Sequence, residues 1–324
     1  MSSAPSRRGS APPPHYEHHL LHSGDEAVDP GTPWTSVTAL PAGHLPAVAA
    51  IRRTVRRLRP DVVHAHSSWA GFHSRLLELR CPVVYEPHCF KFDDPGASPL
   101  ARWAYRTAER VLARHTAAFG TLSQHEAALM RGLVPSAQTV RLENVPSIAA
   151  AAEHPSFGRQ RDTIVMIGRL VPQKDPEFFL RTVAAIRERD PGLRPVWVGD
   201  GAPHYREMLE ASGVEVTGWL GPEEVRARLV DAVYVHTAAY EGLPLSILDA
   251  AAANAPIAAR AILSVRDLPI VLESTPETLA EAACLLSRPG HRQNAALRGN
   301  ASIRRAHSLE RLGASLSQLY EAAA

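Results

Sequence analysis

The sequence has little cysteine, little net charge and no long apolar run. Its three cysteines, Cys81, Cys89 and Cys284, form no Cys-x-x-Cys pair, which argues against a disulfide scaffold and a zinc knuckle and fits a reducing compartment. The net charge of +2 gives no reason to expect nucleic acid as a partner. No apolar run approaches the ~20 residues that cross a membrane. We therefore expect a globular protein in the cytoplasm.

Length and pattern predict two α/β domains. The chain has 324 residues, whereas a typical domain has about 150. Apolar runs alternate with helical patterns, which predicts doubly wound parallel sheets with helices on both faces and a cleft between the two halves. The predicted parts are a disordered tail at 1–15, a first domain at 16–148, a linker rich in Ala and Pro at 149–161, a second domain at 162–306 and a C-terminal helix at 307–324 that packs back on the first domain.

The stretch from Glu241 to Asp249 places an acid, a glycine and a proline ahead of a predicted helix. Pro244 suits the first helical position, because its missing N–H has no partner there in any case. The free amides of Leu245 and Ser246, with the helix dipole behind them, would seat a diphosphate. Both acids could then address a ligand that lies across the helix start. The alternative is an ordinary strand–loop–helix with two solvated acids.

Two cations follow the first predicted strand of the second half. Arg169 and Lys174 come directly after the strand Ile164–Gly168, and Asp175 then suits the N-cap of a helix. Arginine offers a planar fork and lysine a point charge, which together suit a diphosphate. The alternative is a pair of surface cations in weak ion pairs.

Glycines end the next two predicted strands. Gly199 follows Val198, and Gly218 follows the strand Val214–Thr217. Such glycines allow a tight turn or a close approach between the backbone and a ligand. At Gly218 a flat base could lie against the backbone.

Histidines mark the strand ends of the first half. His64 and His66 share one face of a predicted strand, and His88 ends a neighbouring strand. These positions suggest either functional groups in a cleft or ordinary rim residues. We disfavour a metal site among the four N-terminal histidines, because no acidic or cysteine partner completes a set at ligand spacing. These four are His15, His18, His19 and His22.

Together these motifs resemble the retaining glycosyltransferases of family 4, which have the GT-B fold of two Rossmann-like domains facing a cleft. The resemblance runs from about residue 17 to the end. In the second half it rests on Gly168-Arg169-Leu170…Lys174, Val198-Gly-Asp-Gly201, Val216-Thr-Gly218 and Glu241-Gly-Leu-Pro…Asp249. In the first half it rests on Asp61-Val-Val-His-Ala-His66, Pro87-His88, the Ser123…Glu126 helix start and Asn144-Val145.

The resemblance implies transfer of a sugar from a UDP- or GDP-linked donor, with no metal or other cofactor. Arg169 and Lys174 would hold the diphosphate and stabilise the departing nucleotide. Glu241 would hydrogen-bond the transferred sugar, and Asp249 would accept from the ribose hydroxyls. The remaining donor-side positions would be Gly199, Gly218, Gly242, Leu243 and Leu245.

The resemblance places His88 near the reacting face of the sugar, and we expect both His66 and His88 on the acceptor side. The acceptor would be a glycan, a lipid-linked glycan or a small molecule. Two alternatives remain: a degenerate protein that binds nucleotide sugars without turnover, and another enzyme of the same fold, such as a nucleotide-sugar epimerase.

The sequence departs from the family pattern at two places. Aspartate stands at position 249, where the family usually has glutamate, so the reach toward the ribose is one methylene shorter. The family also opens with a buried strand and a glycine-rich loop, which the beginning of this sequence lacks. We expect a first sheet without a central strand, which would expose the edges of its neighbours.

Two predicted helices carry many arginines. Arg102, Arg106, Arg110 and Arg114 recur at every fourth position, and the helix at 46–59 has a second basic face. They are either solvated helices or a peripheral contact with anionic lipid at the inner face of a membrane.

Overall fold

A computed structural model describes residues 16–24, 34–150 and 157–324, which form two compact units. The N-terminal unit contains the described residues up to Asn144 together with Leu309–Ala324, and the C-terminal unit contains Val145–Ser308. The division falls earlier in the chain than the predicted domain end at 148. The predicted tail at 1–15 lies outside the described residues, as does the part of the predicted linker at 151–156.

The N-terminal unit alternates short strands with helices. In chain order its elements are β1 His19–His22, β2 Ser36–Ala39, α1 His44–Leu58, β3 Val63–His66, α2 Ser67–Arg75, β4 Val83–Glu86, α3 Pro99–Leu112, β5 Ala118–Thr121, α4 Gln124–Leu133 and β6 Thr139–Arg141. α3 ends at Leu112 and continues as a 3₁₀ turn at Ala113–His115, so Arg114 lies beyond the α-helix.

The strands of this unit form two parallel sheets. One has the order β1-β2 and the other β3-β4-β5-β6. Among the residues described, β1 and β3 each pair with a single neighbour. Both strands therefore lie at an edge of their sheets within the described residues.

Local sequence explains where helices α3 and α4 of the N-terminal unit begin. Pro99 is the first residue of α3, and the Ser98 side chain caps it by accepting from the amide of Ala101 at 3.2 Å. The Ser123 hydroxyl caps α4 by accepting from the amide of Glu126 at 3.2 Å. The core beneath contains Tyr85, Phe90, Phe92, Phe119 and Met130.

The C-terminal unit has one six-stranded sheet. Its elements are β7 Thr163–Ile167, α5 Pro176–Arg189, β8 Arg194–Val198, α6 Pro203–Ala211, β9 Glu215–Val216, α7 Pro222–Val230, β10 Ala232–His236, α8 Leu245–Ala252, β11 Ile257–Arg260, β12 Val271–Glu273, α9 Pro276–Ser287 and α10 His291–Ala306. The strand order is β12-β11-β10-β7-β8-β9, with all neighbours parallel. The predicted strands Ile164–Gly168 and Val214–Thr217 correspond to β7 and β9.

The order of this sheet reverses between β7 and β10. From β7 the chain adds β8 and β9 on one side, and it then returns to add β10, β11 and β12 on the other. Ligands of doubly wound sheets bind outside the carboxyl ends of the strands at such a switch point. The loops after β7 and β10 are therefore expected to carry the site.

The last helix, α11 at Leu309–Ala323, belongs to the N-terminal unit. Leu312, Leu316 and Leu319 are buried, whereas Leu309 is 63% exposed. Leu309 is the first helical residue, which explains its exposure. Within the described ranges, no helix has the length and apolar content that a membrane crossing requires.

Candidate functional site

The loops after β7 and β10 meet through an ion pair. The Lys174 ammonium contacts the Glu241 carboxylate, and both side chains are largely buried. Gln173 supports the contact by donating to the backbone carbonyl of Tyr240 at 3.1 Å and to Glu241 Oε2 at 3.4 Å. The structure thus brings together two of the predicted site residues that lie 67 positions apart in the chain.

Backbone contacts hold the same two loops together. The amide of Ala239 donates to the carbonyl of Gln173 at 2.9 Å, and the Thr237 hydroxyl donates to the carbonyl of Lys174 at 3.0 Å. Each loop therefore fixes the backbone from which the other's charged side chain extends. A rigid frame of this kind keeps a charged group in place before a ligand arrives.

The helix after Lys174 begins under a second ion pair. Asp175 adopts a left-handed conformation at φ 50° and accepts from the amide of Phe178 at 3.0 Å, as the predicted N-cap. Its other carboxylate oxygen accepts from Arg260 at 2.7 Å. The Arg260 guanidinium also lies 4.3 Å from the ring centroid of Phe178. Asp175 is thus fully engaged in positioning α5.

Arg169 is exposed at the carboxyl end of β7. The next residue, Leu170, is fully buried and forms a parallel bridge to Gly201. This bridge anchors the loop backbone, and it leaves the Arg169 side chain directed away from the core. Arg169 and Lys174 follow the same strand, as the sequence predicts, but within the described part of the chain the ion pair at this site involves Lys174 rather than Arg169.

Close backbone contacts account for Gly199. Its φ is +135°, and a Cβ atom there would lie 2.1 Å from the carbonyl oxygen of Gly168. The Gly199 amide also donates to the carbonyl of Gly218 at 2.9 Å. Gly218 itself has a φ of +74°. The chain after β7 and the chain after β8 therefore approach too closely for a side chain at Gly199, whereas Gly218 is favoured by its positive φ. A role for these glycines in donor binding stays a prediction.

The start of α8 differs from its prediction by one residue. The helix begins at Leu245, and Pro244 is the N-cap residue with ψ 117° rather than the first helical residue. The first amides of a helix have no partner within it, so those of Leu245 and Ser246 remain available at this end. Gly242 and the largely buried Leu243 lead into it.

A buried network lies behind the helix start. The Tyr234 hydroxyl donates to Ser246 Oγ at 2.7 Å and lies 2.9 Å from Nδ1 of His236. Burial, together with the charge of Lys174, holds the pKa of His236 well below its usual range. His236 is therefore neutral, so Lys174 is the cation of this network.

Asp249 is buried and bound by a residue that the sequence did not single out. Its Oδ1 accepts from the amide of Ser147 at 2.6 Å, and its Oδ2 accepts from the Ser147 hydroxyl at 2.8 Å. Burial raises the pKa of Asp249 although these hydrogen bonds lower it. A carboxylate has about four lone-pair sites, so contact with a ribose remains a prediction that would have to share this group with Ser147.

In the N-terminal unit, the two predicted histidines are neighbours. Nδ1 of His66 lies 3.1 Å from Nε2 of His88, and their rings stack at 5.3 Å between centroids. His88 has φ +57° and Cys89 has φ +123°, conformations that are uncommon for residues with a side chain. Backbone strain of this kind is concentrated at functional positions in proteins.

Glu86 is the functional candidate that the sequence reasoning missed in this unit. It ends β4 in register with His66, and its carboxylate lies within 3.4 Å of His64, His66 and His88. The signal that could have identified Glu86 in the sequence is an acid inside the otherwise apolar strand that ends at His88. Its alignment with the two histidines of β3 depends on strand pairing, which the sequence does not display.

Two protein families match the chain in succession. Residues 7–144 match the glycosyl transferase 4-like domain, and residues 161–288 match the glycosyl transferases group 1 family. One curated relative is the Escherichia coli UDP-Gal:alpha-D-GlcNAc-diphosphoundecaprenol alpha-1,3-galactosyltransferase, which is 26% identical over 65% of this chain and 60% of its own length. Two further curated relatives match over 65% and 60% of their own lengths. The chain therefore spans less than two thirds of these relatives.

Solved structures share the fold. A sucrose-phosphate synthase from Thermosynechococcus elongatus aligns with a TM-score of 0.73 and 17% identity, over 88% of this chain and 82% of that one. The Anabaena protein HepE in complex with UDP and glucose aligns with a TM-score of 0.69 and 15% identity, over 88% and 85%. These similarities confirm the predicted architecture of two Rossmann-like domains.

Proposed function

Because the chain belongs to the GT-B glycosyltransferases, with a glycosyl transferase 4-like domain followed by a glycosyl transferases group 1 domain, we propose that it transfers a sugar from a nucleotide-diphosphate sugar to a glycan acceptor. The observation that carries the proposal is the contact between Lys174 and Glu241 at the point where the strand order reverses. An ammonium and a carboxylate lie side by side where such sheets bind nucleotides.

On binding of the donor, Lys174 would exchange its contact with Glu241 for a contact with the diphosphate. A diphosphate competes with Glu241 for the ammonium, which frees the carboxylate to accept from hydroxyls of the transferred sugar. Exposed Arg169 supplies the second cation, and the amides at Leu243 and Leu245 supply further donors. Gly199, Gly218 and Gly242 let the donor approach the backbone, and Asp249 accepts from the ribose.

Departure of the nucleotide creates negative charge on the diphosphate. Arg169, Lys174 and the positive end of α8 are fixed donors that can neutralise this charge without a metal ion. A single preorganised donor in an acyl-transfer site contributes about 2.7–4 kcal/mol. We propose transfer with retention, with His88 at the reacting face of the sugar and His66 on the acceptor side.

UDP is the first candidate for the nucleotide. HepE, which shares the fold, is described in complex with UDP and with UDP and glucose, and the Escherichia coli relative is named for a UDP-linked galactose. GDP has the same diphosphate, so the contacts of Lys174 do not distinguish the two bases.

A lipid-linked acceptor agrees with the surface of α3. Leu100, Trp103 and Val111 are 74%, 65% and 48% exposed along one side of this helix. Arg110, near its end, is exposed too. Apolar side chains beside cations suit a membrane interface with anionic lipid, where each cation adds about 1 kcal/mol. The Escherichia coli relative is named for a diphosphoundecaprenol acceptor. We propose a cytoplasmic protein that binds the inner face of a membrane.

One observation favours a second candidate, a protein that binds nucleotide sugars without turnover. Both carboxylate oxygens of Asp249 are engaged by Ser147, and this acid is already shorter than its counterpart in the family. Binding of the donor without transfer to any offered acceptor, and without its hydrolysis, would support this candidate.

Calorimetric titration with UDP, GDP and ADP tests the donor site. We expect micromolar binding of one nucleotide to the wild type and a loss of at least about tenfold in Lys174→Ala, because a charge-assisted contact contributes about 1.5–3 kcal/mol. The sequence contains one other lysine, Lys91, which lies exposed in the N-terminal unit. Lys91→Ala is the matched control and should bind as the wild type does.

Two results would contradict the donor site. One is the absence of binding of all three nucleotides to a folded wild-type protein. The other is equal affinity in wild type, Lys174→Ala and Lys91→Ala, which would place any nucleotide elsewhere.

A further inference from the structure

Two histidines and a carboxylate converge at the ends of β3 and β4. His64 and His66 stand at alternate positions of β3, so their side chains share one face of the sheet. Glu86 on β4 pairs in register with His66. The side chains of His64 and Glu86 are 10% and 5% exposed, whereas that of His66 is 52% exposed. The group is therefore buried on one side and open to solvent on the other.

The distances fit a tetrahedral ion. Glu86 Oε2 lies 3.4 Å from His64 Nε2 and 3.3 Å from His66 Nδ1. The three atoms lie within 4.8 Å of one another. Bonds of about 2.0–2.1 Å from zinc to nitrogen and oxygen place two ligand atoms of a tetrahedron about 3.3 Å apart. Two edges of the ligand triangle thus already have the required length.

A partner orients the buried imidazole. Nδ1 of His64 lies 3.1 Å from the hydroxyl of Tyr320, which leaves Nε2 directed toward Glu86. Nε2 is buried and, among the described atoms, forms no hydrogen bond of good geometry. Metal-bound histidines are usually oriented in this way through their second nitrogen.

We propose that His64, His66 and Glu86 bind one divalent transition-metal ion of the zinc type, with the fourth position on the side of His88. Two imidazole nitrogens and one carboxylate oxygen suit zinc or cobalt, whereas magnesium and calcium prefer oxygen ligands alone. The site belongs to the N-terminal unit, whereas Lys174 and Glu241 belong to the other, and the ion takes no step in the proposed transfer. It ties the ends of β3 and β4 together.

Metal titration of the full chain, after treatment with a chelator, tests the site. We expect Zn²⁺ to bind with a stoichiometry of one, Co²⁺ to give the visible absorption of a four-coordinate ion, and Mg²⁺ to give no heat. His66→Gln and Glu86→Gln should each weaken Zn²⁺ binding by more than about 100-fold, because even the loss of an outer partner costs about 10–100-fold. His66 is half exposed, so its substitution should leave the fold intact.

His73→Gln is the matched control. His73 Nε2 lies 3.0 Å from His44 Nδ1. This exposed contact joins two imidazoles and includes no carboxylate. His73→Gln should bind Zn²⁺ as the wild type does. Circular dichroism should show that every variant is folded. The proposal is overturned if Co²⁺ shows no four-coordinate absorption, if His66→Gln binds Zn²⁺ like the wild type, or if binding is lost in His73→Gln instead.

Discussion

At the scale of single residues, each unit by itself buries charged groups beside their partners. Lys174 and Glu241 neutralise each other, Asp249 is held by Ser147, and Glu86 is surrounded by imidazoles. A buried charge without a partner would destabilise the folded state, so removal of either member of such a pair should reduce the free energy of unfolding. A ligand that binds here replaces an existing partner.

Glu126 is a buried carboxyl whose titration should influence stability. It accepts from the amide of Leu122 at 2.8 Å, yet burial raises its pKa to about 7. A carboxyl whose pKa is raised in the folded state favours folding at low pH, and this contribution is lost as the pH rises from about 4.5 to 7. The loss approaches about 1.4 kcal/mol per pH unit inside that window.

Urea unfolding of the wild type and Glu126→Gln across this window is the measurement. We expect the free energy of unfolding of the wild type, relative to the variant, to decrease from pH 4.5 to 7. Parallel pH profiles for the two proteins would show that Glu126 titrates as it does in the unfolded chain.

Gly199 should not tolerate a side chain. In Gly199→Ala the Cβ atom would collide with the carbonyl of Gly168, and φ of +135° would add backbone strain. We expect a decrease of about 1–3 kcal/mol or more in the free energy of unfolding. Gly132→Ala in α4, where no atom lies within 4 Å of the added carbon, is the control and should be neutral or stabilising by up to about 1 kcal/mol. Equal stability of both variants would contradict the close contact at Gly199.

At the scale of elements, α3 differs from the other helices of its unit. Only Leu112 is buried among its residues, although four large hydrophobic side chains of α3 are exposed, namely Leu100, Trp103, Tyr105 and Val111. Its inner side is fixed by charge rather than by apolar packing, since Glu109 binds Arg75 at 2.8 Å and accepts from the Tyr85 hydroxyl at 3.1 Å. This leaves the apolar side chains of α3 available for a partner.

The lipid contact predicts a specific loss in Trp103→Ser. We expect the wild type to sediment with phosphatidylcholine vesicles that contain phosphatidylglycerol, and less so at high salt, because the cations of α3 are screened. Trp103→Ser should sediment less. Trp69→Ser, which removes another exposed tryptophan of the same unit, should behave as the wild type does. Absence of wild-type sedimentation at low salt would refute the contact.

At the scale of the whole molecule, the last helix belongs to the N-terminal unit. α11 follows the C-terminal unit in sequence but packs its leucines in the N-terminal unit, where Leu319 lies beside Gly120. We expect Leu319→Ala to reduce the free energy of unfolding by about 2–5 kcal/mol. Leu309→Ala, at the exposed end of the same helix, should change it by no more than about 0.5 kcal/mol. Equal effects in urea unfolding would contradict this packing.

The sequence by itself determined the alternation of strands and helices and the choice of Lys174 and Glu241 as site candidates. These follow from local periodicity, from charges placed at strand ends and from spacing that resembles a known family. Strand pairing and the partners of buried groups were decided by tertiary structure. Ser147 reaches Asp249 over 102 residues, and Glu86 meets His66 only because β3 and β4 are in register. Such contacts depend on the packing of elements that are distant in the chain, and no local pattern encodes them.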